Sequence, residues 1–370
     1  MRDPIAIGIV GLGVALPPKV RDNSWWEGKV IARDRHHQRR DILTIERSST
    51  GEHNTPPPEI IAAQEAIGPD DVFRGARRRR VLDDSLDASD LEVEAARAAM
   101  ADAGVTADEI DLVLVHSIMP DRLMPSNGPA VQDKCGLDRA AAWSLDVGCA
   151  STQAHLVTAS ALIAQGAFHA ALIVQSQIGT RLMDPCSSLA PVFGDAASAM
   201  VVARVPDGYG LLGHWSRTDG SLRDGVVIAP VVDGCPVREW WTATGGAPTL
   251  SSFAPDVGKA AGLRAPDFCR EASFGALADA KLSLSDIDLY VGNQSVAWFV
   301  ESCRRALGLP SSKVVETWAE LSNVGDAAIG VNLAAARAAG KLHSGSVVLC
   351  YSPAAGFTRS AVVLRWWERN

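Results

Sequence analysis

Residues 144–152 read Ser144-Leu145-Asp146-Val147-Gly148-Cys149-Ala150-Ser151-Thr152, with a cysteine directly after a glycine. An apolar run, 140–145, comes before the glycine, and apolar residues at helical spacing follow over 154–163. This pattern predicts a buried strand, a tight turn and a helix, with Cys149 at the helix N-terminus. The free amides and partial positive charge there favour a thiolate and can hold an oxyanion, so Cys149 is a candidate nucleophile. A small buried cysteine in a core turn is the alternative.

The composition is that of a globular protein with one large or two ordinary domains. The chain has 370 residues, of which 47% are hydrophobic and 21% charged, and a net charge of −8. An acidic balance argues against nucleic acid as a partner. The seven cysteines are scattered without a C-x-x-C pair, which argues against a disulfide framework or a metal site and favours a reducing, cytoplasmic compartment. No apolar run is long enough for a membrane span.

The first strand is expected at 5–13, where Gly11-x-Gly13 resembles part of a dinucleotide motif. Pro17-Pro18 follows where that motif needs a third glycine and a helix, so the dinucleotide interpretation is rejected. Residues 23–72 are polar and are expected to form a surface excursion with little regular structure. The basic cluster at 74–80 is either a solvated face or a phosphate-binding patch, and the patch is favoured on an otherwise acidic protein.

An internal repeat organises the rest of the chain. Residues 101–112 reappear at 278–289 as a helix end, a short connection and a strand, and Gly166–His169 is echoed by Gly340–His343 before another strand. Two matches in the same order predict two similar α/β halves, 1–205 with the nucleophile and 206–370. Alternating strands and helices predict a mostly parallel sheet in each half. Cys149 would then lie at the carboxyl edge of its sheet, where ligands bind.

Several motifs now resemble those of the β-ketoacyl-acyl-carrier-protein synthase III branch of the thiolase superfamily. They are D-V-G-C-A-S at 146–151, F-G-D-A-A-S-A at 193–199, S-N-V-G at 322–325, A-A-G-F-T at 354–358 and G-A-R-R-R at 75–79. The resemblance covers 1–22 and 74–370. It implies the thiolase fold, in which two duplicated βα halves pack as a layered α-β-α-β-α structure, and it implies a homodimer.

The same resemblance implies the catalytic roles. Cys149 would carry the acyl group, and Asn323 would be the catalytic asparagine. The oxyanion would be held by the Cys149 amide and by backbone at Ala355 and Gly356. No metal or bound cofactor is implied, because the acyl group arrives on coenzyme A or on the phosphopantetheine of an acyl carrier protein.

One position departs from the family. The family has P-H-Q-A-N where this chain has Gly292-Asn293-Gln294-Ser295-Val296, so Asn293 stands in place of the catalytic histidine. An amide still donates a hydrogen bond, so Asn293 is expected to position the second substrate together with Asn323, but it neither takes a proton nor carries a positive charge. If the histidine acts as an acid or base, its loss costs roughly two to four powers of ten in rate. The enzyme is therefore a slow condensing enzyme or catalyses something other than decarboxylative condensation.

Three further groups are candidates for substrate binding. The repeat places His116 at the position in the first half that corresponds to Asn293, near the pocket, although a histidine satisfied at a strand end is the alternative. Met124 matches the family residue that reaches across the dimer into the partner's acyl pocket, with a core methionine as the alternative. Arg74, Arg77 and Arg79 would guide the thioester's phosphates to the entrance.

These inferences predict an acyltransferase of the ketoacyl synthase III type that forms an acyl-Cys149 thioester and condenses it with a second substrate. The asparagine and the 23–72 excursion favour specialised metabolism, such as polyketide assembly, over the housekeeping fatty-acid starter enzyme. Ester or amide formation without decarboxylation is the alternative chemistry. A thioesterase-like hydrolase and a non-catalytic partner subunit are the alternatives in other classes.

Overall fold

The fold begins with the alternation of strands and helices that the sequence predicts. The computed structural model describes residues 5–29, 55–68, 71–187, 189–232, 235–242 and 246–369. Its strands are β1 Ile7–Ala15, β2 Lys19–Asp22, β3 Arg78–Val81, β4 Leu112–Ser117, β5 Ala141–Ser144, β6 Ala171–Ile178, β7 Asp195–Arg204, β8 Gly210–Thr218, β9 Val227–Val232, β10 Cys235–Pro236, β11 Pro248–Ser251, β12 Leu289–Gly292, β13 Val347–Pro353 and β14 Thr358–Arg365. Its α-helices are α1 Pro58–Ile67, α2 Ala88–Ala103, α3 Gly128–Cys135, α4 Ser151–Ala164, α5 Pro255–Leu263, α6 Ala265–Asp279, α7 Phe299–Ala306, α8 Trp318–Leu321 and α9 Ala328–Ala338.

Two mixed sheets form the frame. The first has the strand order β1-β7-β6-β4-β5 and the second the order β12-β13-β14-β8. In the first sheet β4 is parallel to β5 and β6, but β7 is antiparallel to β6 and β1. In the second, β12 and β13 are parallel, and β14 is antiparallel to β13 and β8. All strands but β7 in the first sheet and all but β14 in the second therefore run in one direction, so the prediction of mostly parallel sheets is confirmed. Strands β7 and β14 are the exceptions because each returns beside the preceding strand through a connection whose described residues hold no α-helix to carry the chain across.

Helices and sheets alternate in the α-β-α-β-α order that the family resemblance implied. Helices α4 and α9 are buried between the two sheets, α2 and α3 cover the outer face of the first sheet, and α6 and α7 cover the outer face of the second. Side chains alternate along a strand, so Leu112 and Leu114 of β4 face the central helices while Val113 and Val115 face α2. Both faces of this strand are therefore buried from solvent.

The internal repeat is visible in the turns as well as in the strands. A short 3-10 helix, Ala107–Glu109, precedes β4, and another, Leu284–Asp286, precedes β12. Each is closed by the same reciprocal pair of hydrogen bonds, Thr106 with Glu109 and Ser283 with Asp286. The first sheet ends at Arg204 and the second begins at Gly210.

The glycines of the rejected dinucleotide motif have a packing role. A Cβ atom on Gly13 would lie 2.2 Å from the carbonyl oxygen of Ala95, and one on Gly11 would lie 2.3 Å from that of Ala99. Both carbonyls belong to α2, so the two glycines let this helix approach β1 more closely than any side chain would allow.

The 23–72 excursion contains more regular structure than predicted. Helix α1 lies within it and buries Ile60 and Ala63 in the core of the second half. These apolar residues at helical spacing outweigh the polar composition of the segment as a whole. Residues 30–54 and 69–70 of the excursion lie outside the described residues. Among the helices that the structure describes, none combines the length and the apolar character that a membrane crossing requires.

Candidate active site

Cys149 lies on the turn between β5 and α4, as the sequence predicts. The 3-10 turn Gly148–Ala150 leads directly into the helix. Gly148 has a φ of +54°, which a glycine adopts without strain, and Ser151 accepts a hydrogen bond from the Val147 amide and donates one to the Gly148 carbonyl. These bonds fix a tight bend that leaves the half-buried Cys149 facing a cavity.

The cavity has a volume of about 420 Å³ and lies between the two halves of the chain. Both Cys149 and Asn323 line it, together with His116 and Asp146. The rest of its wall is largely apolar and includes Leu182, Phe193, Phe268, Trp298 and Phe299. A space of this size and character suits an acyl chain.

Two backbone amides are aimed at the sulfur. The N–H groups of Cys149 itself and of Ala355 both favour the thiolate. The position of Ala355 agrees with the expected oxyanion backbone. Gly356, the next residue, shapes the turn with a φ of +77°.

The electrostatics of Cys149 oppose the expected thiolate. Burial, followed by the carboxylate of Asp326 and then that of Asp146, raises the pKa of the thiol to about 12, against the two amides. The effect of the two carboxylates on the thiol pKa therefore outweighs that of the helix N-terminus, because two negative charges lie close to the sulfur. The thiol is protonated near neutral pH until one of these charges moves or is matched.

His116 lies between those two carboxylates. It ends β4 and is buried, with Nδ1 bonded to Oδ2 of Asp326 and Nε2 lying 3.0 Å from Oδ1 of Asp146. Burial alone would disfavour the charged ring, but Asp326 and Asp146 outweigh it and raise the pKa of His116 to about 10. The hydrogen bond from His116 in turn lowers the pKa of Asp146 to about 2. The ring is thus an imidazolium held between two carboxylates.

His155, the other histidine near the nucleophile, is a support for the strand end. Its Nε2 lies 2.8 Å from the Leu145 carbonyl oxygen and its Nδ1 accepts from the Gln175 amide at 3.0 Å. Burial lowers its pKa to about 4, so the ring is neutral near pH 7.

The two asparagines have different positions. Asn323 lines the cavity, donates to the Ser295 carbonyl oxygen at 3.0 Å and accepts from the Gly325 amide at 2.8 Å. Asn293 is fully buried; it donates to the Gly325 carbonyl oxygen at 2.6 Å and accepts from the Ser295 hydroxyl at 2.8 Å. Asn293 does not line the cavity. The expectation that it positions a substrate is therefore corrected: its amide holds the loop that carries Asn323.

The arginines of the basic cluster lie in different environments. Arg79 is fully buried, donates to the Pro191 carbonyl oxygen at 2.5 Å and to Asn23, and lies 4.7 Å from the ring centre of Trp26. Burial lowers its pKa to about 10. Its expected role in substrate binding is wrong, because its guanidinium faces the protein interior. Arg74 is half-buried and Arg77 is exposed, and neither lines the cavity.

Met124 is 89% exposed and lies outside the cavity of its own chain. The neighbouring Leu123 is 81% exposed. A core methionine, which was the alternative interpretation, is excluded by this exposure.

Sequence reasoning missed three parts of the site. Asp146 was noted only as part of a motif, and Asp326 was not considered, although an acidic residue in the apolar run after Asn323 is a usable signal. The three-stranded sheet β10-β9-β11 was not anticipated either. It contributes Ile228 and Leu250 to the cavity wall.

Comparisons with known proteins agree with this geometry. The family model for 3-oxoacyl-[acyl-carrier-protein] synthase III matches residues 144–220, and the model for its C-terminal part matches 277–366. The β-ketoacyl-[acyl-carrier-protein] synthase III of Symbiobacterium thermophilum is 30% identical over 361 residues, which cover 97% of this chain and 98% of the relative. The chain belongs to the 3-oxoacyl-[acyl-carrier-protein] synthase III family.

Other members extend the likeness in sequence and structure. The synthase III of Rhizobium meliloti is 31% identical over 298 residues, covering 79% of this chain and 88% of that protein. The crystal structure of the synthase III from Pseudomonas aeruginosa PAO1 superposes with a TM-score of 0.77 at 25% identity and covers 98% of each chain. As a member of this synthase family, the chain is an acyltransferase of the condensing-enzyme type with the thiolase fold.

Proposed function

We propose that this synthase takes an acyl group from a thioester onto Cys149 and condenses it with a second substrate. The observation that carries the proposal is that the thiol, the Asn323 side chain and the Cys149 and Ala355 amides meet at one largely apolar cavity. Attack by the sulfur creates an oxyanion on the thioester carbon, next to the two amides that can stabilise it. Asn323 then positions the second substrate.

The donor is an acyl thioester of coenzyme A or of an acyl carrier protein. The names of the relatives include an acyl carrier protein, which supports a carrier-borne substrate. The apolar wall of the cavity supports a hydrocarbon acyl group. Arg74 and Arg77 remain candidates for contact with the donor's phosphates, since Arg77 is exposed and Arg74 lies three residues before it.

We place the reaction in specialised metabolism, such as polyketide assembly, and the enzyme in the cytoplasm. Asn293, which replaces the family histidine, is buried and bonded within the protein. This supports a task other than the housekeeping starter reaction, because two groups are normally needed to stabilise a decarboxylating malonyl thioester. Acyl transfer to a hydroxyl or amine is the second candidate, and the same loss of a second donor favours it.

A homodimer is the proposed assembly. The exposure of Met124 and Leu123 supports it, because two neighbouring large apolar side chains at 89% and 81% exposure gain from coverage by a second copy. The strand β5 lies at the edge of the first sheet, and no strand of the described residues pairs with its outer side, so a second sheet can continue there.

Intact-mass measurement with a panel of acyl-CoA thioesters tests the function. We expect the protein to gain the mass of one acyl group and to keep it until an acceptor is added. Cys149→Ala should gain nothing, whereas Cys235→Ala, which removes an exposed cysteine, should label like the wild type. A non-catalytic subunit would gain no mass, and a hydrolase would lose the acyl group to water without an acceptor.

A further inference from the structure

The side chains of Asp146, His116 and Asp326 form a row of charged groups at the cavity, and the proposed function gives this row no role. Its members come from three places: Asp146 follows β5, His116 ends β4 and Asp326 lies on the turn Gly325–Ala327 before α9. Both ring nitrogens of His116 are engaged by carboxylates on opposite sides. A histidine held in this way at a cavity wall has a fixed orientation and a controlled charge.

The two carboxylates differ in their exposure to solvent. Asp326 is fully buried, and its Oδ1 atom has no hydrogen-bond partner among the described residues. The Asp146 side chain is 80% exposed and lines the cavity. Asp326 therefore keeps Nδ1 in place. The Oδ1 atom of Asp146 also accepts the Gly148 amide at 2.7 Å, but Asp146 is the member that a substrate in the cavity can displace from Nε2.

We propose that His116 is the imidazolium partner of the Cys149 thiolate and that Asp146 competes with the sulfur for its Nε2–H group. The proposal rests on the proposed acyl-Cys149 function and deepens it. With Asn293 withdrawn into the protein, His116 is the one histidine among the described residues that line the cavity. Asp326 acts through His116 and is a positioning residue.

Protons and bonds balance in each step of the acyl transfer that this pairing would support. When Asp146 releases Nε2, the thiol proton leaves to solvent and the thiolate pairs with the imidazolium. The sulfur forms a bond to the thioester carbon, the bond from that carbon to the donor's sulfur breaks, and the departing thiolate takes the Nε2 proton. With a hydroxyl or amine acceptor, the neutral ring takes the acceptor's proton as the acceptor bonds to the acyl carbon and the bond to the Cys149 sulfur breaks. With a malonyl acceptor, loss of CO2 leaves the carbanion that bonds to the acyl carbon, the bond to the Cys149 sulfur breaks, and the ring takes a proton from water, whose hydroxide combines with CO2 as bicarbonate.

The groups that face His116 support this assignment. Asp326 and Asp146 supply negative charge from two sides, and Cys149 shares their field, since both carboxylates raise the pKa of the thiol. His155 faces the row from α4, but it is neutral because burial lowers its pKa to about 4. Removing the Asp146 charge should therefore have two effects. It should free the His116 imidazolium to pair with the Cys149 sulfur, and it should remove a negative charge that repels the thiolate.

Alkylation by iodoacetamide between pH 5 and 10, read at Cys149 by peptide mass, tests the proposal without any acyl donor. Asp146→Asn should raise the rate at pH 7 by about tenfold or more, which corresponds to at least one pKa unit. His116→Gln should lower it, and adding His116→Gln to Asp146→Asn should abolish the gain. His169→Gln is the matched control, because His169 forms an exposed pair with Asp111 at 2.8 Å and lies outside the cavity.

The outcomes separate the alternatives. A gain that persists in the double variant means that Asp146 acts through its charge alone, and this overturns the role of His116. If His116→Gln does not fold, Asp146→Asn alone decides, because an unchanged or slower rate overturns the competition. A wild type that gains no acyl mass refutes the proposed function, whereas an acylated wild type whose alkylation profile is unchanged in His116→Gln refutes this inference only.

Discussion

Nδ1 of His116 hydrogen bonds to Oδ2 of Asp326, a fully buried carboxylate 210 residues further along the chain. The bond joins the carboxyl edge of the first sheet to the loop that carries Asn323. It pairs one charged residue from each half of the duplicated fold: His116, which lines the cavity, and Asp326, which is buried behind it. The site is therefore an interface between the halves, and the charge state of His116 influences stability as well as chemistry.

The stability of the protein should depend on the protonation of His116. Its pKa is raised to about 10, from an ordinary value of about 6.5, so the folded state holds a proton that the unfolded chain releases first. The stabilisation is present in full below pH 6.5 and is lost as pH rises through about 10, by at most about 1.4 kcal/mol per pH unit. Urea unfolding at pH 6.5, 8 and 9 should show the difference between wild type and His116→Gln shrinking as pH rises.

The exposed pair of His169 with Asp111 provides the control for that experiment. His169→Gln should follow the wild-type curve, because a screened surface pair contributes little. Parallel curves for wild type and His116→Gln would show that the ring holds no extra proton in the folded state.

Restoring the family histidine should not restore condensation. Asn293 is fully buried and its amide is bonded to the Gly325 carbonyl oxygen and the Ser295 hydroxyl. The larger imidazole of Asn293→His would strain this packing, and we expect a loss of about 1–3 kcal/mol in stability. Decarboxylation of malonyl-CoA, measured as release of CO2, should stay at the wild-type rate.

Asn293→Ser is the small polar control for this substitution. The serine should make the space around position 293 more accessible without the packing strain that the imidazole introduces. A folded Asn293→His enzyme that releases CO2 at least tenfold faster would show that the loop can open and would return position 293 to the substrate site.

Arg79 and Arg77 should respond differently to truncation. Arg79→Ala removes the donor to the Pro191 carbonyl oxygen and to Asn23 in a buried setting, and unsatisfied acceptors of this kind cost about 1–3 kcal/mol. Arg77→Ala, at an exposed position, should change stability by no more than about 0.5 kcal/mol. Urea unfolding measures both. An Arg79→Ala variant as stable as the wild type, with a raised KM for the thioester, would return this residue to substrate binding.

The packing of α2 on β1 should not tolerate a methyl group. In Gly13→Ala the new Cβ would lie 2.2 Å from the Ala95 carbonyl oxygen, so helix and strand must separate. We expect a loss of about 1–3 kcal/mol, seen as a lower thermal midpoint. Gly220→Ala is the control, because in the described part of the chain no atom beyond its chain neighbours lies within 4 Å of its Cβ position. Equal midpoints for both variants would contradict the close approach.

The sequence predicted well those features that short segments determine. The turn that presents Cys149 follows from Gly148 and the apolar residues on either side, and the repeat identified the two halves because the same turn precedes β4 and β12. The layered architecture came from the family resemblance. The mostly parallel direction of the strands was predicted, but the antiparallel β7 and β14 were not, since the periodicity of a strand does not record which way it runs.

The parts that were missed depend on contacts between distant residues. Nothing in the spacing shows that Asp326 meets His116, because 210 residues separate them. Arginine is rarely fully buried, so the burial of Arg79 contradicts the usual expectation from its charge. Asn293 has the same identity whether its amide faces a substrate or the Gly325 carbonyl oxygen, and only the folded chain distinguishes the two.

Ile228 and Leu250 of the small three-stranded sheet form part of the cavity wall, whereas Cys149, His116 and Asn323 are held by the frame of the duplicated halves. Part of the wall that fits the acyl group thus lies on a stretch of polypeptide separate from the reactive groups. Evolution, or a protein engineer exchanging the segment 226–251, can reshape which acyl groups are accepted while the machinery at the sulfur stays intact. Diversification of this lineage is expected to concentrate in that segment.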